Sequence, residues 1–269
     1  MAIYFKESDW VAVRGCAEAD GVAVVPLGSL EQHGPHLPCG VDSIQVDEVM
    51  ARMVARLDPE LPVCVCPTVD YSVVQWASPL ASAGIAPKTM EQSLVDICHA
   101  LTDLGFSKIV LVHGHGGLPT GRSALWQAMY EKRPALYVDF EPYDGCQAQI
   151  AEIVGGPDGH GGTAETSMML AIRPDLVDVS KAGTAPASLW GDDFPFPSLE
   201  GVGSYPIPSI ESLSDGFYGG DVRLASAEKG HKILDLLAGS AAEVVGELGS
   251  APTPAEYKHV WRKSLPSEG

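Results

Sequence analysis

The chain has 269 residues, 45% of them hydrophobic, enough for one large α/β domain or two small ones, with a sizeable core. Its formal charge of −18 at pH 7 excludes the basic footprint that nucleic acid or an anionic membrane surface demands. No apolar run is long enough to span a bilayer and the start, MAIYFKESDW, lacks the apolar stretch of a signal peptide, so a cytoplasmic protein with free thiols is expected.

The first strand-like run is VAVVPLG, residues 22–28. Beyond it EQHGPHLPCGVD, Glu31 to Asp42, gathers two carboxylates and two histidines on a path stiffened by two prolines and two glycines. If the chain stays extended past Gly28, Glu31 and His33 project to one side and reach a common point. Asp42 opens a helix predicted from Asp42 to Leu57, where its plain structural role would be an N-cap. A second strand is expected at PVCVCPTV, residues 62–69. Cys64 and Cys66 then share a face, and buried small residues are favoured over a CxC zinc site.

From Lys88 to Gly105 the residues Met90, Leu94, Ile97, Leu101 and Leu104 step by four and three, one helical stripe closed by a glycine. The strand KIVLVHGH, residues 108–115, ends in His113 and His115 on one face, and the glycines that follow permit close approach of backbone to a ligand. A helix from Gly121 to Lys132 and the strand ALYVDF, residues 135–140, come next. In HGGTAETSMMLAI, His160 precedes a helix whose first turn holds Glu165, where the helix dipole favours an anion. The segment from Lys181 to Gly220 is rich in Pro, Gly, Ser and aromatics, Trp190 among them, and reads as an ordered excursion over a pocket or at a subunit contact. The last helix is expected from Ala225 to Leu248, with Ile233, Leu237, Ala241, Val244 and Leu248 inward. Strands alternating with helices predict a three-layer α/β/α sandwich with a mostly parallel central sheet, one domain over residues 1–250 and a tail over 251–269.

Carboxylates and imidazoles at several strand ends of one parallel sheet fall on one edge, where such folds bind ligands. A mixed His and carboxylate set suits Zn²⁺, Mn²⁺ or Fe²⁺ better than Ca²⁺. Two such ions about 4 Å apart need a bridging carboxylate and can activate a shared water.

The motifs PLGSLEQHGPHLPCGVD, VHGHGG, HGGTAETSMML and, more weakly, GFYGGDVRLASAEKG run from Pro26 to Gly230. In them the sequence resembles the creatininase family of creatinine amidohydrolase-like metal enzymes. The resemblance implies a two-metal centre and a homo-oligomer, commonly a hexamer. By it, Glu31, Asp42 and His115 hold one ion, and His33, the bridging Asp42 and Glu165 hold the other. His160 matches the histidine that handles protons at the scissile bond, with a bridging hydroxide as nucleophile. His36 is expected to support the ligands rather than join them. His113 stands where the family usually has asparagine and is either a hydrogen-bonded strand-end histidine or a substrate contact.

The departures bear on substrate. Gly117 takes the place of a glutamate ligand found in true creatininases, which favours Glu165 and makes creatinine itself a poorer substrate. Gly159 replaces an acidic residue before the catalytic histidine, with Asp158 one position further off. WASPLASAGIAP replaces a GTxSL-like segment, and Leu118 an asparagine. Trp76, at the front of that altered segment, joins His113 and Trp190 as a candidate substrate contact. The activity expected is hydrolysis of a C–N bond in a small cyclic amide. The alternative is ring opening at a C–C bond of a keto-cyclitol, and a peptide terminus or formamide also suits the site.

Overall fold

Five parallel strands form the spine: β1 (Ala2–Tyr4), β2 (Val22–Leu27), β3 (Val63–Val65), β4 (Lys108–His113) and β5 (Leu136–Phe140), in the order β1-β3-β2-β4-β5. The computed structural model describes residues 1–74, 82–116, 123–125, 127–128, 135–156, 158–182 and 220–253. The longer helices among the described residues are α1 (Trp10–Glu18), α2 (Val41–Val54), α3 (Pro87–Asp103), α4 (Gln147–Val154), α5 (Thr163–Ile172) and α6 (Ala227–Ser250).

The near-continuous apolar strands are apolar because both sheet faces are covered. On one face Ala23, Val25, Leu27, Cys64, Ile109 and Leu111 meet Val13 and Cys16 of α1 and Met90, Leu94 and Cys98 of α3. On the other, Val22, Val24, Val63, Val65, Val110 and Val112 meet α2, α4, α5 and α6 through Val46, Met50, Ile150, Met168, Ile233 and Leu237. Alternate residues of each strand feed opposite layers, as the pleat requires, and the α/β/α sandwich is present. Cys64 and Cys66 lie together in the first layer, and all six cysteines are free. Burial pushes the Cys16 and Cys98 thiols up to about 12.

Several expectations are corrected in detail. β3 holds three residues rather than 62–69. Pro67 has no N–H for the ladder, and pairing resumes only as the isolated bridge of Leu27 with Val69. Leu104 leaves the predicted α3 stripe: it caps the helix and is 38% exposed, because the chain turns at Gly105 with φ 106°. Among the elements that escaped the sequence reading are β1, α1 with its Asp9 cap accepting from Ala12 N, and α4. Of the predicted helix Gly121–Lys132, residues 123–125 and 127–128 are helical and the rest lies outside the described residues. So do residues 183–219 and 254–269 of the two predicted irregular segments. No helix among the described residues is long and apolar enough to cross a membrane.

Two contacts fix the last helix. Lys108, fully buried at the start of β4, donates to Gly249 O at 2.9 Å and lies 3.3 Å from Asp20, at the sheet edge opposite the carboxyl ends of the strands. Gly230 sets α6 against α5, since a Cβ there would stand 2.0 Å from Ser167 O. Gly230→Ala is therefore expected to lower stability by about 3 kcal/mol, read as a shifted urea midpoint with unchanged slope.

Candidate metal centre

The chain leaves β2 for β3 on one side and returns to β4 on the other, so the carboxyl ends of β2 and β4 flank the point where strand order reverses. Glycines let α2 descend onto this point. A Cβ at Gly28 would lie 2.3 Å from Ser43 Oγ, and one at Gly114 2.6 Å from Val46 Cβ. Both replacements would push the start of α2, and Asp42 with it, off the strand ends.

Asp42 is the second residue of α2, whose N-cap is Gly40. Its carboxylate does not cap the helix. Oδ1 lies 3.2 Å from His33 Nε2, and Oδ2 lies 2.9 Å from His115 Nδ1 while accepting from the buried Ser29 hydroxyl at 2.6 Å. His115 Nδ1 is also 3.4 Å from Glu31 Oε2, and His33 Nε2 is 3.7 Å from Glu165 Oε2. Glu31, Asp42 and His115 thus form one group and His33, His160 and Glu165 another, each with ligand atoms within 4.8 Å of one another. Asp42 presents one oxygen toward a histidine of each.

The donor set fits divalent cations. Glu31 is 3% exposed, yet its Oε2 accepts no hydrogen bond; a buried carboxylate oxygen in that state is stabilised by a cation. All three imidazoles are held by backbone carbonyls. His33 Nδ1–H donates to Glu31 O at 2.9 Å, His115 Nε2–H to Val73 O at 3.1 Å and His160 Nε2–H to Gln32 O at 2.7 Å. This is how outer contacts fix the tautomer of a metal-binding histidine: His33 presents Nε2 and His115 presents Nδ1, the atoms that face Asp42. Glu165, in the first turn of α5, is held by the Gly161 N–H.

The charges carry the same signature. Burial opposes charge on His33 and His115, but the carboxylates of Asp42, Glu165 and Glu31 outweigh it and raise them to about 10 and about 9. Burial likewise opposes the Asp42 carboxylate, yet the two imidazoliums hold it well below the usual range. Burial lifts Glu165 to about 7 and also raises Glu31. Burial and the neighbouring His33 charge lower His160 to about 3, so it is neutral. Its ring centroid is 4.1 Å from that of His33. In the metal-free chain, protons on His33 and His115 balance the carboxylates; metal ions would displace them. Loading at pH 7 is expected to release about two protons, measured by calorimetry in buffers of differing ionisation enthalpy. Since both raised histidines stay protonated as pH falls, metal affinity should fall with acidification.

The other predicted residues divide. His36 is buried and its Nε2 lies 3.1 Å from Gly161 O and 3.0 Å from Thr166 Oγ1, bracing the loop that carries His160 and the start of α5. His113 Nε2 is 2.6 Å from Asp139 Oδ1 of the neighbouring strand. Asp158 places its carboxylate on backbone N–H groups of Thr163, Ala164 and Gly220. Trp76, Trp190, Gly117 and Leu118 lie outside the described residues. Sequence reasoning missed Ser29, though it stands inside the motif PLGSLEQHG, and the carbonyls of Gln32 and Val73, which no side-chain pattern announces.

A family model described as creatininase, creatinine amidohydrolase, matches residues 6–245. Creatinine amidohydrolase of Pseudomonas putida is 27% identical over 91% of this chain and 97% of its own length. The mycofactocin precursor peptide peptidase of Mycolicibacterium smegmatis is 28% identical over 82% of this chain and 83% of its own length. The 3-dehydro-scyllo-inosose hydrolase of Thermotoga maritima is 25% identical over 65% of this chain and 58% of its own length. A solved manganese form of creatininase superposes with TM-score 0.78 at 25% identity, covering 93% of this chain and all of that one.

Proposed function

The chain belongs to the creatininase family of amidohydrolases, and on that premise we propose that it is a two-metal hydrolase opening a C–N bond in a small cyclic amide. The observation that carries the reading is Asp42, whose two oxygens face the imidazoles of two neighbouring ligand groups. Glu31, Asp42 and His115 would hold one ion, and His33, Asp42 and Glu165 the other. When bound, such a pair polarises a carbonyl and supplies hydroxide at neutral pH. Zn²⁺, Mn²⁺ and Fe²⁺ all suit these donors.

The chain's own contribution is order and proton traffic. Glu31, His33 and Asp42 are at most 3% exposed, so the charges act in a dry setting where they are worth more. Neutral His160 donates Nε2–H to Gln32 O, which leaves the lone pair on Nδ1. That nitrogen can accept a proton from the attacking water and return it to the leaving nitrogen, which an amide needs before its C–N bond breaks.

Activity on creatinine, formamides, short peptides and keto-inositols separates the readings. Turnover of an amide is expected; turnover of keto-inositols alone would overturn it. The cyclitol alternative has support in the Thermotoga relative, which covers less of the chain than the amidohydrolase does. Peptide turnover would keep the C–N reading and change the substrate, as the mycobacterial relative suggests. The same proposal takes the protein as a cytoplasmic homo-oligomer, hexameric in the family's manner. Its six free cysteines and the exposed Trp10, at 72%, support this, and light scattering of the purified chain tests the assembly.

A further inference from the structure

We propose that Asp158 is a positioning residue whose carboxylate closes the His160 loop into a ring and sets His160 and Glu165 relative to one another. The inference rests on the site reading above. Oδ1 accepts from Thr163 N at 2.8 Å and from Gly220 N at 3.0 Å, and Oδ2 accepts from Ala164 N at 2.6 Å. Between Asp158 and Thr163 the sequence is Gly-His-Gly-Gly, so His160 is the one side chain on the ring. Glycines bring no conformational preference that would hold such a loop, and Gly161 lies in the left-handed region at φ 62°. What holds it is bonding: Gly162 N to Gly159 O at 2.9 Å, Gly161 N to the Glu165 carboxylate, and Asp158 to the start of α5.

Space has been cleared for this carboxylate. A Cβ at Gly162 would stand 2.3 Å from Asp158 Oδ1, and one at Gly220 2.7 Å from the same atom. The Gly220 bond also brings in the chain that enters α6, where Thr163 Oγ1 donates to Asp221 O at 3.0 Å. Asp158 therefore binds together the loop bearing His160, the helix bearing Glu165 and the strand of backbone ahead of α6.

The test compares Asp158→Ala and Asp158→Asn with Lys108→Ala, a destabilising change at the opposite sheet edge. Three quantities are read on the full chain: Zn²⁺ titration of metal-free protein, kcat and KM on the best amide of the panel, and metal-free amide hydrogen exchange over residues 159–165. Asp158→Ala should quicken that exchange, weaken the second Zn²⁺ and lower kcat by about 10–100-fold, and leave KM within about twofold. Asp158→Asn keeps one acceptor oxygen and should fall between. Lys108→Ala should lower Tm while leaving all three readings at wild type. Wild-type zinc affinity and kcat in Asp158→Ala, or an equal kcat loss in Lys108→Ala, would overturn the proposal. If the wild type itself takes up fewer than two Zn²⁺, the two-metal reading fails instead. Exchange then decides for Asp158: unchanged rates over 159–165 overturn its role, and faster rates uphold it.

Discussion

Asp42→Ala is expected to strip the chain of both ions and lower turnover by about 10³-fold or more, the several kcal/mol that metal ions contribute to a transition state. The size follows from position. The carboxylate is 2% exposed and stands between His33 and His115, one oxygen toward each. Removing it weakens both groups together, whereas the loss of Glu31 or Glu165 touches one. The helix should tolerate the change, because Gly40 is the N-cap and the Asp42 side chain makes no capping bond. Metal content measured beside circular dichroism separates loss of ions from loss of fold. One ion at full occupancy in a folded Asp42→Ala chain would show that Asp42 does not bridge.

His160→Ala should behave in the opposite way: both ions retained, with kcat lower by about 10²–10⁴-fold, the usual contribution of a positioned acid or base. Burial holds His160 neutral, and its Nε2–H is committed to Gln32 O. Such a histidine enters the cycle as a proton acceptor. Its ring is nevertheless close enough to His33 and Glu165 to share an ion with them. Metal analysis of the variant decides between these roles. A wild-type rate would remove His160 from the chemistry, and a lost ion would make it a ligand.

The sheet was legible because β2 and β4 are buried on both faces, so that Val, Ile and Leu run on without alternation. α3 was legible through its four-and-three stripe. β1 has three residues and α1 nine, too short for periodicity to speak clearly, and both owe their place to packing against β3 and β2. At the site, residue types in the Glu31–Asp42 loop and the two histidines at and just beyond the end of β4 pointed to a metal centre. Their assignment to two groups could not be read that way. It depends on Gly28 and Gly114 admitting α2, and on carbonyls of Glu31, Val73 and Gln32 choosing a tautomer for each imidazole. Extended geometry past Gly28 would have sent Glu31 and His33 to one point. Instead Glu31 joins His115 and His33 faces Glu165, with Asp42 between them.

Elemental analysis of the purified chain, combined with anomalous scattering from its crystals, tests the central claim most directly. Two divalent ions per chain are expected, one among Glu31, Asp42 and His115 and the other among His33, Asp42 and Glu165. A single ion, or two ions with Asp42 bound to neither or to only one, would contradict it.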